Sequence, residues 1–121
     1  MARYVIQFTS AARPGEDEAF NRWYDDVHVS DVLAIPGFLS CQRYRVVDAA
    51  ASRARYVASY EVESDDPQAT LGQLFNSGNK MVISPSLDKD QVTITILEPH
   101  PRTRSQEREE NLNWGAAPLR P

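Results

Sequence analysis

Three side chains capable of acid–base chemistry fall on one stripe of a single segment: Tyr24, His28 and Asp31, within FNRWYDDVHVSDVLAIPGF, residues 20–38. On a helical wheel of about 100° per residue with Tyr24 at zero, Asp31 lies about 20° to one side and His28 about 40° to the other. Phe20 and Val27 lie on the Asp31 side with Trp23 just beyond, while Glu18, Arg22, Asp25, Asp26 and Val29 take the opposite half. A phenol, an imidazole and a carboxylate on a stripe that faces a core cost a few kcal/mol unless they find partners. Two readings account for them. In one, Asp31 bonds a backbone group near the helix end and His28 is a satisfied flank residue. In the other, a cleft lies between helix and sheet. There His28 acts as general acid/base, Asp31 orients the imidazole, Tyr24 donates to a substrate oxygen, and Phe20 and Trp23 line the wall. Only an imidazole titrates near pH 7 without a large shift. Neighbouring carboxylates and the helix C-terminus favour its charged form, and burial opposes it.

Other reactive residue types are sparser. Arg43 and Arg45 share one face of a strand, opposite Ser40, Gln42 and Tyr44. An arginine there needs an anion, an edge or solvent. A pair with an acid is the first expectation for Arg43, and binding of a substrate carboxylate the second. Cys41, the single cysteine, rules out an intrachain disulfide and a thiolate metal site, and it reads as a small buried hydrophobe. Tyr56 and Tyr60 read as core or interface residues. His28 and His100 alone make no metal set, so no metal is expected. Asn76-Ser77-Gly78-Asn79 lacks the spacing of a phosphate loop and reads as a helix exit.

The elements that must position these groups follow from periodicity. Residues 2–9 alternate as a strand, Pro14-Gly15 marks a turn, and Glu16, Asp17 and Glu18 open a helix that runs to about Leu33. Pro36 and Gly37 stop it. Residues 38–47 and 53–63 form a hairpin, and Asp66-Pro67 starts a second helix over 67–76. Residues 79–89 form a loop, and 91–98 the last strand. The order strand–helix–strand–strand–helix–strand is the ferredoxin-like α+β arrangement, a four-stranded antiparallel sheet with both helices on one face. Residues such as Val5 on the other face predict that a second copy covers it, making a homodimer. Residues 1–98 thus form one domain. Residues 99–121 are a charged tail ending near Trp114, either a frayed end or an arm on the partner subunit.

The chain has 121 residues and a net charge of −4, with 41% hydrophobic and 25% charged residues, as in ordinary globular proteins. Nothing basic enough for nucleic acid stands out. No apolar run approaches the ~20 residues of a membrane span, and no signal-peptide h-region is visible, so a cytoplasmic protein is expected.

With the element order and FNRWYDDVHVSDVLAIPGFLSCQRYR in view, the chain resembles the dimeric α+β barrel superfamily, and within it the EthD-like group. The pattern rests on Trp23, Tyr24 and His28, then Pro36, Gly37 and Phe38, and the resemblance covers about residues 2–98. It implies a homodimer whose two sheets form a barrel, with a small-molecule pocket between helices and sheet in each subunit. Superfamily members include cofactor-independent monooxygenases, polyketide cyclases, lactone isomerases, hydroxynitrile lyases and haem-binding enzymes, so fold does not fix reaction. The acidic setting of His28 argues against haem, and no flavin or nicotinamide fingerprint is present. The leading expectation is a small cofactor-free lyase, isomerase or cyclase acting on a small apolar carbonyl or aromatic compound. His28, Tyr24 and Asp31 would be catalytic, and Phe20, Trp23 and Arg43 would bind substrate. The alternatives are a cofactor-free monooxygenase on a phenol and a dimeric binding protein without chemistry.

Overall fold

The computed structural model describes residues 1–48, 50–77 and 81–101. The alternating stretch ARYVIQFTS forms β1 (Ala2–Ser10). Asp17 and Glu18 occupy the first turn of α1 (Asp17–Trp23), where the helix dipole favours carboxylates. That helix runs through a π turn (Tyr24–His28) into α2 (Val29–Leu33). A hairpin of β2 (Phe38–Arg45) and β3 (Tyr56–Ser64) follows, then α3 (Pro67–Asn76). A 3-10 turn (Lys89–Gln91) leads into β4 (Thr93–Leu97). The strands pair antiparallel in the order β2-β3-β1-β4, which is the ferredoxin-like α+β fold.

The hairpin strands are shorter at the loop end than periodicity suggests, although the Val46 N–H still donates to the Arg55 carbonyl at 2.8 Å. α3 begins where its local signals place it. Asp66 accepts from the Gln68 and Ala69 backbone amides, and Pro67 sits in the first turn. The expected exit of that helix at Gly78, and the charged tail with Trp114, lie outside the described residues.

One face of the sheet carries the core. Ile6 and Phe8 of β1 and Ala58, Tyr60 and Val62 of β3 pack with Phe20, Trp23, Tyr24 and Val32 of the first helix and Leu74 of α3. The Pro36-Gly37 stop turns the chain from α2 into β2. Gly37 has φ +100°, and a Cβ there would stand 3.1 Å from the Glu63 carbonyl oxygen, so no other residue fits this turn without strain. The Glu63 amide donates to the Gly37 carbonyl at 2.9 Å, which locks the turn onto β3. The opposite face presents Gln7, Thr9, Ser59 and Thr95 around Val5, Val57, Tyr44 and Leu97. Among the described residues no helix is long and apolar enough to cross a membrane.

Candidate active site

Two irregularities absent from the simple periodic patterns build the site. The first is the π turn, in which the Val29 N–H donates to the Tyr24 carbonyl five residues back. A regular α-helix would set Trp23 and His28 about 140° apart. The wider turn instead stacks the indole on the imidazole, with ring centroids 4.6 Å apart and planes inclined by 26°. The Tyr24 ring meets the same imidazole edge-on at 4.9 Å. Trp23 is fixed from its other end, where Nε1 donates to the Val82 carbonyl at 2.7 Å. The imidazole is thereby held between two aromatic rings. π turns are rare and concentrate at functional sites.

The second irregularity is a β-bulge between Phe38 and Ser40. Strict alternation would put Phe38 on the same face as Ser40 and Gln42. The extra residue, Leu39, reverses the alternation, so buried Phe38 shares the helix-covered face with Cys41 and Arg43. Arg43 consequently reaches under the first helix. Its guanidinium donates to Asp25 Oδ1 and to Asn21 Oδ1, each at 2.9 Å, and its Cζ lies 4.3 Å from the Tyr24 ring centroid. Asn21 and Asp25, one helical turn apart, clamp the cation, and the Tyr24 face adds a cation–π contact. The wheel places Asp25 in the solvent half, and it is indeed mostly exposed, yet it is the acid that pairs with Arg43.

The polar groups here are poorly satisfied. Among the described residues, His28 Nδ1, Asp31 Oδ2, Arg43 Nε and Tyr60 Oη are closed off from solvent and have no partner with hydrogen-bond geometry, although the Tyr24 hydroxyl and the Cys41 thiol neighbour Tyr60 Oη. His28 and Asp31 are therefore not hydrogen-bonded to each other through these atoms. The Asp31 carboxylate acts on the imidazole only through its charge. Burial lowers the His28 pKa below its usual 6.5; Asp31 opposes the shift and Arg43 adds to it. The imidazole is thus neutral at pH 7. Burial pushes the Tyr24 hydroxyl well above the ordinary phenol range, with Arg43 pulling in the other direction. The Tyr60 hydroxyl rises further still, through burial first and then the neighbouring Tyr24 and Cys41. Both phenols stay protonated and can only act as neutral donors or acceptors. Burial raises the half-buried Cys41 thiol as well, which leaves it protonated and a weak nucleophile.

Of the residues singled out by sequence, Tyr24, His28, Trp23, Phe20 and Arg43 gather in one aromatic and cationic cluster. Phe20 is fully buried and supports the Tyr24 and Trp23 rings from below. Asp31 lies one turn on and lines a cleft of about 300 Å³ with Ala34, Ile35, Pro36, Gln73, Ser77 and Met81. None of the other five lines that cleft. Periodicity did not flag Asn21, Asp25 or Tyr60 for this site. Tyr60 was legible as an inward residue of β3, but its lack of a partner emerges only once the bulge and the π turn are in place.

No family model matches the sequence, and no curated protein matches it. Solved structures do. An EthD (ethyl tert-butyl ether D) family protein from Bacillus halodurans is 17% identical with a TM-score of 0.56, the match covering 80% of this chain and 99% of that one. A NIPSNAP family protein from Agrobacterium tumefaciens gives 13% identity and a TM-score of 0.60, over 84% of this chain and 90% of that one. A provisional monooxygenase from Shewanella loihica gives 22% identity and a TM-score of 0.50, over 85% and 99%. Identities this low speak to fold and not to reaction. With the sheet order and the helix placement, they establish the ferredoxin-like α+β fold, which this chain shares with an EthD family protein and a NIPSNAP family protein.

Proposed function

We propose that this protein is a small cofactor-independent enzyme that removes a proton from an apolar carbonyl or aromatic compound, in a lyase, isomerase or cyclase type of reaction. One observation carries the reading. A neutral imidazole, two protonated phenols and a guanidinium converge on the helix–sheet interface with four of their polar atoms, or those of adjacent Asp31, closed off and unpartnered. Unpaired buried polar atoms are costly in a purely structural core, and they are what a substrate oxygen or acidic C–H would engage. His28, neutral at pH 7, takes the proton. Tyr24 donates a hydrogen bond to the oxygen on which negative charge develops, and Arg43 beneath the Tyr24 ring stabilises that charge. The Asp31 carboxylate favours the imidazolium that forms. Phe20 and Trp23 hold the rings in place. A second copy covers the helix-free face around Val5, Val57 and Leu97, giving a homodimer; a stable monomer in sedimentation at micromolar concentration contradicts that part.

A second reading has the same first step. The likeness in fold to the Shewanella loihica protein favours a cofactor-free monooxygenase, in which the anion made by His28 reacts with dioxygen. The test is to incubate the protein with a panel of enolisable ketones and phenols while following both product and dissolved oxygen. Turnover without oxygen uptake supports the first reading, and stoichiometric uptake supports the second. No turnover with any compound that binds contradicts both.

A further inference from the structure

The cleft lined by Asp31 is chemically distinct from the aromatic cluster beside it. Its walls come from the end of α2 and the stop after it (Ala34, Ile35, Pro36), from α3 (Gln73), and from Ser77 and Met81. Among the described residues, Asp31 is the only charged one in that lining. Its Oδ2 is withdrawn from solvent, and among the described residues neither His28 Nδ1 nor any other donor satisfies it. A carboxylate oxygen closed off from water and left without a donor is expensive, because it forfeits hydration without replacement. The other lining groups are aliphatic at Ala34, Ile35 and Pro36 and polar at Gln73 and Ser77, and Met81 is a side chain that adapts to ligand shape.

We infer that this cleft binds a small ligand with an apolar body and a hydroxyl group, and that Asp31 accepts a hydrogen bond from that hydroxyl. The apolar body lies against Ile35, Pro36 and Met81, while Gln73 and Ser77 meet further polar substituents. Asp31 thus reads the ligand directly, in addition to its charge effect on His28. The inference does not rest on chemistry at His28, because His28, Tyr24 and Arg43 do not line this cleft.

The test uses a matched pair of probes, 2-naphthol and 2-methoxynaphthalene, which share a ring system and differ in the donor. Binding to the full chain is followed by amide chemical-shift perturbation. The expected result is that 2-naphthol perturbs Asp31, Ala34, Gln73 and Ser77 and binds at least about tenfold more tightly than the methyl ether, a ratio typical of a hydrogen bond to a charged group. In Asp31→Leu the two probes should bind with similar affinity. Equal affinities for the two probes in the wild-type protein, or perturbations confined to other surfaces, overturn the inference without need of any variant. If the hydroxyl preference holds but His28→Ala leaves turnover unchanged, the site stands and the catalytic reading fails. If His28→Ala abolishes turnover but the probes do not discriminate, the reverse holds.

Discussion

Two polar clusters in this molecule are handled in opposite ways. At the start of α3, buried Ser64 Oγ and Thr70 Oγ1 lie 2.7 Å apart, the Asp66 amide donates to Ser64 Oγ, and Asp66 caps the helix through the Gln68 and Ala69 amides. Each of those groups has a partner. Around the π turn, His28 Nδ1, Asp31 Oδ2, Arg43 Nε and Tyr60 Oη have none. The first cluster exchanges water for protein hydrogen bonds and so holds the fold together. The second gives up water without replacement, and the aromatic packing of the core must offset that cost. On the function proposed above, the open network is the one a ligand would complete. Stability would then reside with the satisfied cluster and the aromatic rings, and chemistry with the unsatisfied groups.

Phe20 carries the largest expected effect. It is fully buried, and its ring lies 5.5 Å from that of Tyr24, 6.0 Å from Trp23 and 5.6 Å from Tyr56. Phe20→Ala should cost about 3–5 kcal/mol in urea unfolding and loosen the rings that hold the imidazole. A loss below about 1 kcal/mol would mean that the aromatic cluster is not what offsets the unpaired groups.

Smaller substitutions sharpen the contrast between the clusters. Ser64→Ala strands the Thr70 hydroxyl and the Asp66 amide, so it should destabilise by about 1–3 kcal/mol. Asp66→Ala removes the α3 cap and should cost about 1 kcal/mol. Tyr60→Phe deletes a buried hydroxyl that has no partner, so thermal unfolding should show it neutral or more stable by up to about 1 kcal/mol. If Tyr60→Phe proved as costly as Ser64→Ala, the two clusters would not differ in kind.

The pH dependence has a definite sign. The folded-state pKa of His28 lies below its usual 6.5, so between that lowered value and 6.5 the unfolded chain binds more protons than the folded one. This group's contribution to stability is complete above about 6.5 and is lost as pH falls through that window. Urea midpoints measured across it should fall with pH in the wild-type protein, and fall less in His28→Ala. The same shift predicts that catalysis by the neutral imidazole persists to pH values below 6.5.

How much of this was legible in the sequence follows the same division. α3 was readable in detail because its signals are local: an Asp cap, a Pro in the first turn and apolar spacing. The order of elements along the chain and the Pro36-Gly37 stop were readable for the same reason. What the wheel missed were the two places where regular periodicity breaks. Trp23 and His28 fall on opposite flanks of an ideal helix, and only the π turn brings them into a stack. Phe38 and Arg43 fall on opposite faces of an ideal strand, and only the bulge sets both toward the helices. Each break costs regular hydrogen bonding and persists because packing across the sheet selects it, a tertiary effect no local window contains. Both lie at the candidate site. The Asp31–His28 pair, which the wheel makes adjacent, is coupled by charge and not by a hydrogen bond.

The most direct test of His28 as the base is the rate of proton abstraction. The wild-type protein and His28→Ala are incubated in D2O with 2-tetralone, an enolisable aromatic ketone, and deuterium entry beside the carbonyl is followed by NMR. Exchange above background is expected for the wild type, with a loss of about 100-fold or more in the variant and folding retained. Exchange by His28→Ala within about threefold of the wild type would contradict the assignment of His28 as the base.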